Sequence, residues 1–202
     1  MPILSRRIAM LGFVAMPAAR ALAQGAGPVR IRGSVVALEG NVLSVATRSG
    51  DRLSVTLAEN ATVSALRRVA LADITPGTAL GVVAEPGPDG TLRATAITVL
   101  PPGARITELQ IPWDTGENAS MNNGPVEAAV DSAAGRDLTL SILGRRVVVR
   151  VAADTPLLMP IPASRSDLVA GATVFINAAR GADGRISTSR VIVSKDGVAP
   201  VI

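Results

Sequence analysis

The chain repeats itself, and this constrains it more than any other feature. Residues 87–99 read GPDGTLRATAITV and residues 181–193 read GADGRISTSRVIV. The ungapped match runs from Asp73–Val99 onto Asp167–Val193, at a spacing of 94 positions. The same spacing sets Gly50, Arg52, Val55 and Ala58 on Gly144, Arg146, Val149 and Ala152. The matches collect at turn glycines and apolar positions, which is what a duplicated fold retains.

Each copy divides into five short apolar runs bounded by turn residues. In the first copy they are Val29–Leu38, Val42–Arg48, Arg52–Leu57, Thr78–Glu85 and Thr91–Leu100. Glu39-Gly40-Asn41, Ser49-Gly50-Asp51 and Pro88-Asp89-Gly90 separate them with tight-turn chemistry. The second copy gives Gly124–Asp131, Asp137–Leu143, Arg145–Val151, Ala172–Ala179 and Arg185–Ser194. Between the third and fourth runs, Ala65–Asp73 has helical character and stops at Pro76-Gly77; its counterpart, Leu157–Leu168, is richer in proline and less helical. Three strands, a helix or turn, then two strands is the order of an OB-like barrel. A β-sandwich or an up-and-down barrel accommodates the same strands. The expected fold is all-β: two tandem five-stranded OB-like barrels, at 29–100 and 124–195, joined by a Pro-rich linker at 101–123.

The repeated stretch carries a further structural instruction. Leu92 and Ala94 share one face of a strand, whereas Ile97 and Val99 fall on the opposite parity, and Ile186, Thr188, Val191 and Val193 do the same. One inserted residue, a β-bulge, would return all four to the core in each copy. The repeated text therefore reads as folding information and not as a repeated ligand site.

Composition narrows the chemistry. Hydrophobic residues make up 48% of the 202, while aromatics are limited to Trp113, Phe13 and Phe175. A core of β-branched and aliphatic side chains suits strands. The chain has no histidine and no cysteine, which removes disulfides, imidazole or thiolate metal ligands, and His- or Cys-dependent catalysis.

Residues 1–23 have the layout of a signal peptide: Arg6-Arg7, an apolar run over Ile8–Ala19, then Ala21-Leu22-Ala23 ahead of a cleavage point between Ala23 and Gln24. The run is shorter than the roughly 20 residues a membrane span needs. SRRIAML fits either twin-arginine or general secretory export. Removing Arg6, Arg7 and Arg20 from the 20 basic residues leaves 17 against 16 acidic ones. A near-neutral mature chain with one Trp and one Phe is a poor match to nucleic-acid binding, which uses basic grooves and several stacking aromatics. The expected location is the periplasm, with no membrane span in the mature chain.

The linker and second copy carry a resemblance. IPWDTGENASMNNGPVEAAV, followed by a strand-rich stretch ending in SKDGVAP, resembles a small exported bacterial family of unknown function with tandem OB-like repeats and a PWD…S-M-N linker. Its members are often labelled metal ABC transporter permeases, but a permease needs several membrane spans. The resemblance covers about Trp113 to Pro200 and implies no particular activity.

Four residues are singled out for partner binding: Trp113 and Asp114 in the linker, and the basic pair Arg67-Arg68. Trp113 can be a ligand platform, but a lone ring in an aromatic-poor chain more often packs, here as a plug between barrels. Asp114, Glu117 and Asn118 could supply oxygen to calcium, but their spacing is not that of a calcium loop and they are ordinary turn residues. Arg145-Arg146 would point to opposite faces of a strand. Ser194-Lys195 lacks the surroundings of a Ser-Lys hydrolase. No catalytic, cofactor-binding or metal residues are assigned.

The expected function is a non-catalytic binding or assembly module of the cell envelope, with an unknown envelope protein or polymer as partner. A carboxylate-dependent enzyme acting on a polysaccharide and a cation-responsive envelope protein are the alternatives.

Overall fold

The computed structural model of the chain describes residues 28–132 and 135–201. The expected signal peptide and its expected cleavage point between Ala23 and Gln24 lie outside them. The described residues form twelve β-strands and three single turns of 3-10 helix, with no α-helix. The strands are β1 (Pro28–Glu39), β2 (Val42–Thr47), β3 (Arg52–Arg68), β4 (Ala79–Pro86), β5 (Leu92–Val99), β6 (Leu109–Pro112), β7 (Ser120–Ser132), β8 (Gly135–Ile142), β9 (Arg145–Ala152), β10 (Leu157–Pro162), β11 (Thr173–Arg180) and β12 (Ile186–Val193).

The ladders close. β1 pairs with β2, β2 with β3, β3 in parallel with β12, β12 with β11, and β11 returns to β1. The result is a closed five-stranded barrel around Ile31, Val35, Leu43, Val45, Val55, Leu57, Val174, Ile176, Val191 and Val193. The same circuit of pairings recurs through β7, β8, β9, β5 and β4, again with one parallel junction, between β5 and β9. Leu80, Val82, Ile97, Val99, Val126, Leu138, Leu140, Ile142, Val149 and Val151 fill this second ring.

The ladders therefore do not keep each copy to itself. The segments 29–100 and 124–195 were each expected to hold one complete barrel. Instead, each ring takes three strands from one copy and the closing hairpin from the other. The physical reason lies in β3. Its 17 residues at about 3.3 Å each span roughly 55 Å, far beyond one barrel wall. The chain leaving β3 is thus delivered to the second ring, where β4 and β5 are built. In the second copy the equivalent strand is interrupted between β9 and β10 by Ala153–Pro156, ending in a proline that cannot donate to a ladder. After β10 the chain returns to close the first barrel.

The crossing has internal symmetry. In the antiparallel β3–β10 ladder, Leu66 faces Pro160, its own repeat equivalent 94 positions on, and Ser64↔Pro162 and Arg68↔Leu158 flank it. The seam is thus self-complementary, as at a two-fold axis relating identical subunits.

Helical character at Ala65–Asp73 is overturned. Residues 65–68 extend β3 against β10, and only Leu71–Asp73 forms a 3-10 turn. Pairing partners on the neighbouring strand outweigh a weak local preference. The Pro-rich stretch expected to act only as a linker, 101–123, also holds strand: Leu109–Pro112 pairs with Ser120–Asn123 as the β6–β7 ladder. The second-copy insert, Leu157–Leu168, holds strand β10 and a 3-10 turn at Arg165–Asp167.

The bulges are where the parity change requires them. Val83 faces Ala96 and Ala84 faces Ala94, so Thr95 is the inserted residue of β5. Between β11 and β12, Ile176↔Val191 and Ala179↔Ser187 leave one residue over on β12. Ala94, Ile97 and Val99 are consequently buried together. The two repeated hairpin turns differ in detail. Asp89 and Gly90 both take positive φ (57° and 72°), whereas in the second copy Gly184 alone does so (79°), and Asp183 accepts a hydrogen bond from the Arg185 amide at 3.0 Å.

Candidate functional site

The most distinctive side-chain arrangement lies where the two rings meet. Trp113 follows β6 on the turn into β7, its amide bonded to the Ala119 carbonyl at 2.7 Å. It is 8% exposed and packs with Val83 and Ala96 of the second ring, Phe175 of the first barrel, and Ala119. The Trp113 and Phe175 ring centroids are 6.4 Å apart, with the planes tilted by 43°. The ring is packed as a plug between the two units.

Two arginines from β1 lie on these rings. The Arg30 guanidinium is 3.9 Å from the Trp113 ring centre, and that of Arg32 is 5.0 Å from the Phe175 centre. Strand alternation explains their pairing: Arg30 and Arg32 flank the buried Ile31 and share the outer face of β1. Asp114 closes the group. Its two carboxylate oxygens accept hydrogen bonds from the Arg32 Nη atoms at 2.8 and 2.9 Å, and Arg30 stands 3.9 Å away. The hydrogen bonds from Arg32 hold the Asp114 carboxyl below the usual carboxylate range, against a smaller opposing effect of partial burial. Nε of Arg30 and Nε1 of Trp113 are buried and meet no hydrogen-bond partner among the described residues.

This cluster forms one end of a cleft of about 560 Å³ lined by Val29–Arg32, Thr47, Arg48, Ser49, Leu53, Asp114 and Thr115. Arg30, Arg32, Arg48 and Thr115 line it together with Asp114, and at the β2–β3 turn the Thr47 hydroxyl pairs with that of Ser49, which donates to the Asp51 carboxylate at 2.8 Å. Such a wall suits an anionic or hydrogen-bonding partner.

Trp113 and Asp114, singled out in the sequence, are thus brought together at the cleft. Arg67 and Arg68 are elsewhere: both lie in the β3–β10 seam opposite Met159 and Leu158, and the Arg67 guanidinium contacts the Met159 sulfur at 3.1 Å. Arg30, Arg32 and Arg48 were missed. The signal for the first two was present as Arg-Ile-Arg, two cations at strand spacing on one face, which adjacent-pair reasoning passes over. The carboxylate of Asp114 is committed to Arg32, and among the described residues no group of three or more His, Cys, Asp or Glu side chains converges as a metal site would.

The fold and cleft define a class: an all-β chain with a closed barrel and a cationic surface groove beside an inter-ring aromatic plug. No helix of the described residues is long and apolar enough to cross a membrane. Comparison with protein-family models, with curated proteins and with solved structures finds no match.

Proposed function

We propose that this chain is an exported, non-catalytic binding or assembly module of the bacterial cell envelope, built from two OB-like barrels and acting in the periplasm. The order of each circuit supports the barrel assignment. Three meandering strands close through a hairpin whose last strand runs parallel to the third, as an OB-type order requires. The leader supports export. The PWD…S-M-N linker supports kinship with the exported family it resembles, and Trp113 and Asp114 of that motif sit at the cleft.

The observation that carries the reading is the Arg30–Arg32–Asp114 cluster on Trp113 and Phe175. Stacking and bidentate pairing hold the guanidinium groups in place before any partner arrives, which lowers the ordering cost of binding. Immobilised full-length chain should retain a specific envelope component from a periplasmic extract, and the double variant Arg30→Ala/Arg48→Ala should lose it. Retention of nothing above background by the native chain would reject the reading.

A further inference from the structure

Strands β1 and β7 occupy equivalent places in their rings. The first half of β1 pairs with β11 (Pro28–Ser34), and that of β7 pairs with β4 (Ser120–Pro125). On the opposite flank, β2 pairs with β1 from Gly33 onward and β8 with β7 from Val126 onward. Glycines at matched positions, Gly33 and Gly124, each precede a bulge by two residues. A shift of 91 positions therefore superposes the two strands in register.

In the second ring, the remaining flank of β7 is taken. Strand β6 lies antiparallel along it, with Leu109 opposite Asn123, Ile111 opposite Met121 and Pro112 opposite Ser120. A carboxylate just ahead of this strand fastens it: Glu108 accepts a hydrogen bond from the Leu143 amide at 2.6 Å, on the β8–β9 turn. Gln110 adds contacts to Asn122 at 2.8 Å and Arg145 at 3.3 Å.

In the first barrel, the same shift turns Met121–Asn123 into Arg30–Arg32, and the corresponding flank is the 560 Å³ cleft. Its far wall is the β2–β3 turn, where Ser49 corresponds to Leu143 and the exposed Arg48 stands beside it. Val35 exchanges hydrogen bonds with Ala172 and Gly171 on the β11 side. By alternation, the Arg30 backbone groups point to the cleft.

We infer that this flank of β1 receives an extended polypeptide segment with an acidic residue ahead of an apolar stretch, pairing antiparallel with β1 as β6 pairs with β7. The inference rests on the binding-module reading and supplies its ligand class. Main-chain pairing gives the segment its affinity, and its carboxylate meets Arg48 and the Ser49 turn in the way Glu108 meets Leu143. Arg30, Arg32 and Arg48 outnumber the two carboxylates beside them, Asp114 on Arg32 and Asp51 on the Ser49 hydroxyl, and the surplus favours an acidic segment over a basic one. A sheet flank bounded by polar walls is a known template for strand addition.

The test uses the full chain and the synthetic peptide TELQIP, the sequence of residues 107–112. Trp113 is the only tryptophan, so its emission reports on the cleft. The peptide should change that emission saturably and slow hydrogen exchange at Arg30. A version methylated on its backbone nitrogens should fail to bind, and Arg48→Glu should weaken binding about tenfold or more. Arg30→Pro, which removes the cleft-facing amide, should abolish it; Arg48→Glu, at an exposed turn, covers the case in which that variant does not fold. Equal binding by the methylated peptide, equal displacement by inorganic phosphate, or no emission change would overturn the inference. If the native chain captures its envelope component while TELQIP neither binds nor competes, the strand-addition inference falls and the binding-module reading stands. If nothing is captured while TELQIP binds as described, the reverse holds.

Discussion

At the scale of single residues, backbone crowding makes the sharpest demands. A Cβ on Gly124 would lie 2.0 Å from the Ser141 carbonyl oxygen, and one on Gly33 would lie 2.2 Å from that of Ala46. Neither neighbour is a flexible side-chain end, so the strands themselves must part. Gly124→Ala should cost at least about 2 kcal/mol, read as a lowered urea midpoint. Leu143 shows the opposite imbalance. It is 60% exposed, yet holds φ of 52°, a conformation that Asn tolerates better. Leu143→Asn should stabilise the chain by about 0.5–1 kcal/mol in the same measurement. Asp114 adds a pH dependence. Pairing lowers its pKa in the fold below the ordinary value of about 3.9, so its contribution is complete above that value and is lost as pH falls through the folded-state value. The carboxyl is 41% exposed, so the effect is small: Asp114→Asn should lower Tm by about 1–2 °C at pH 7. That difference should close as melts are repeated from pH 4 downward.

At the scale of elements, β6 shows how a linker becomes structure. Pro101-Pro102-Gly103 ends the first copy as its composition implies, but the following residues have a strand flank within reach and take it. Glu108 secures the element from outside the ladder. Glu108→Ala should raise hydrogen-exchange rates at Leu109–Ile111 about fivefold and leave exchange inside the first barrel unchanged. The bulges in β5 and β12 were legible because a parity change in an apolar pattern has few structural solutions. The end of β3 was not, because Ala65–Arg68 becomes strand only when Leu158–Ile161 of β10 arrive from far along the chain to pair with it.

At the scale of the molecule, strand exchange makes the rings interdependent. Neither copy contains a closed circuit of its own. A chain cleaved at an engineered protease site between Pro102 and Gly103 should therefore keep its native mass by light scattering, and both rings should unfold in one transition. Contiguous barrels would instead separate on dilution. The β3–β10 seam, with Leu66 facing its equivalent Pro160, gives the single chain the geometry of two identical units that have traded hairpins.

The five strands read in each copy, the turns between them, the bulges and the repeat itself were determined by the sequence alone, because each depends on residues close together in the chain or on the repeat; β6, β10 and the end of β3 were not, because they form only against distant partners. Which copy's hairpin closes which ring was decided only in three dimensions. The two hairpins carry the same apolar pattern, so either satisfies either core, and the choice falls to the reach of β3 and the pairing at its end. The cleft was decided there too. Arg30, Arg32 and Asp114 stand 82 or more positions apart across the pair, and nothing in local pattern brings a β1 cation to a linker carboxylate until the rings are packed on Trp113.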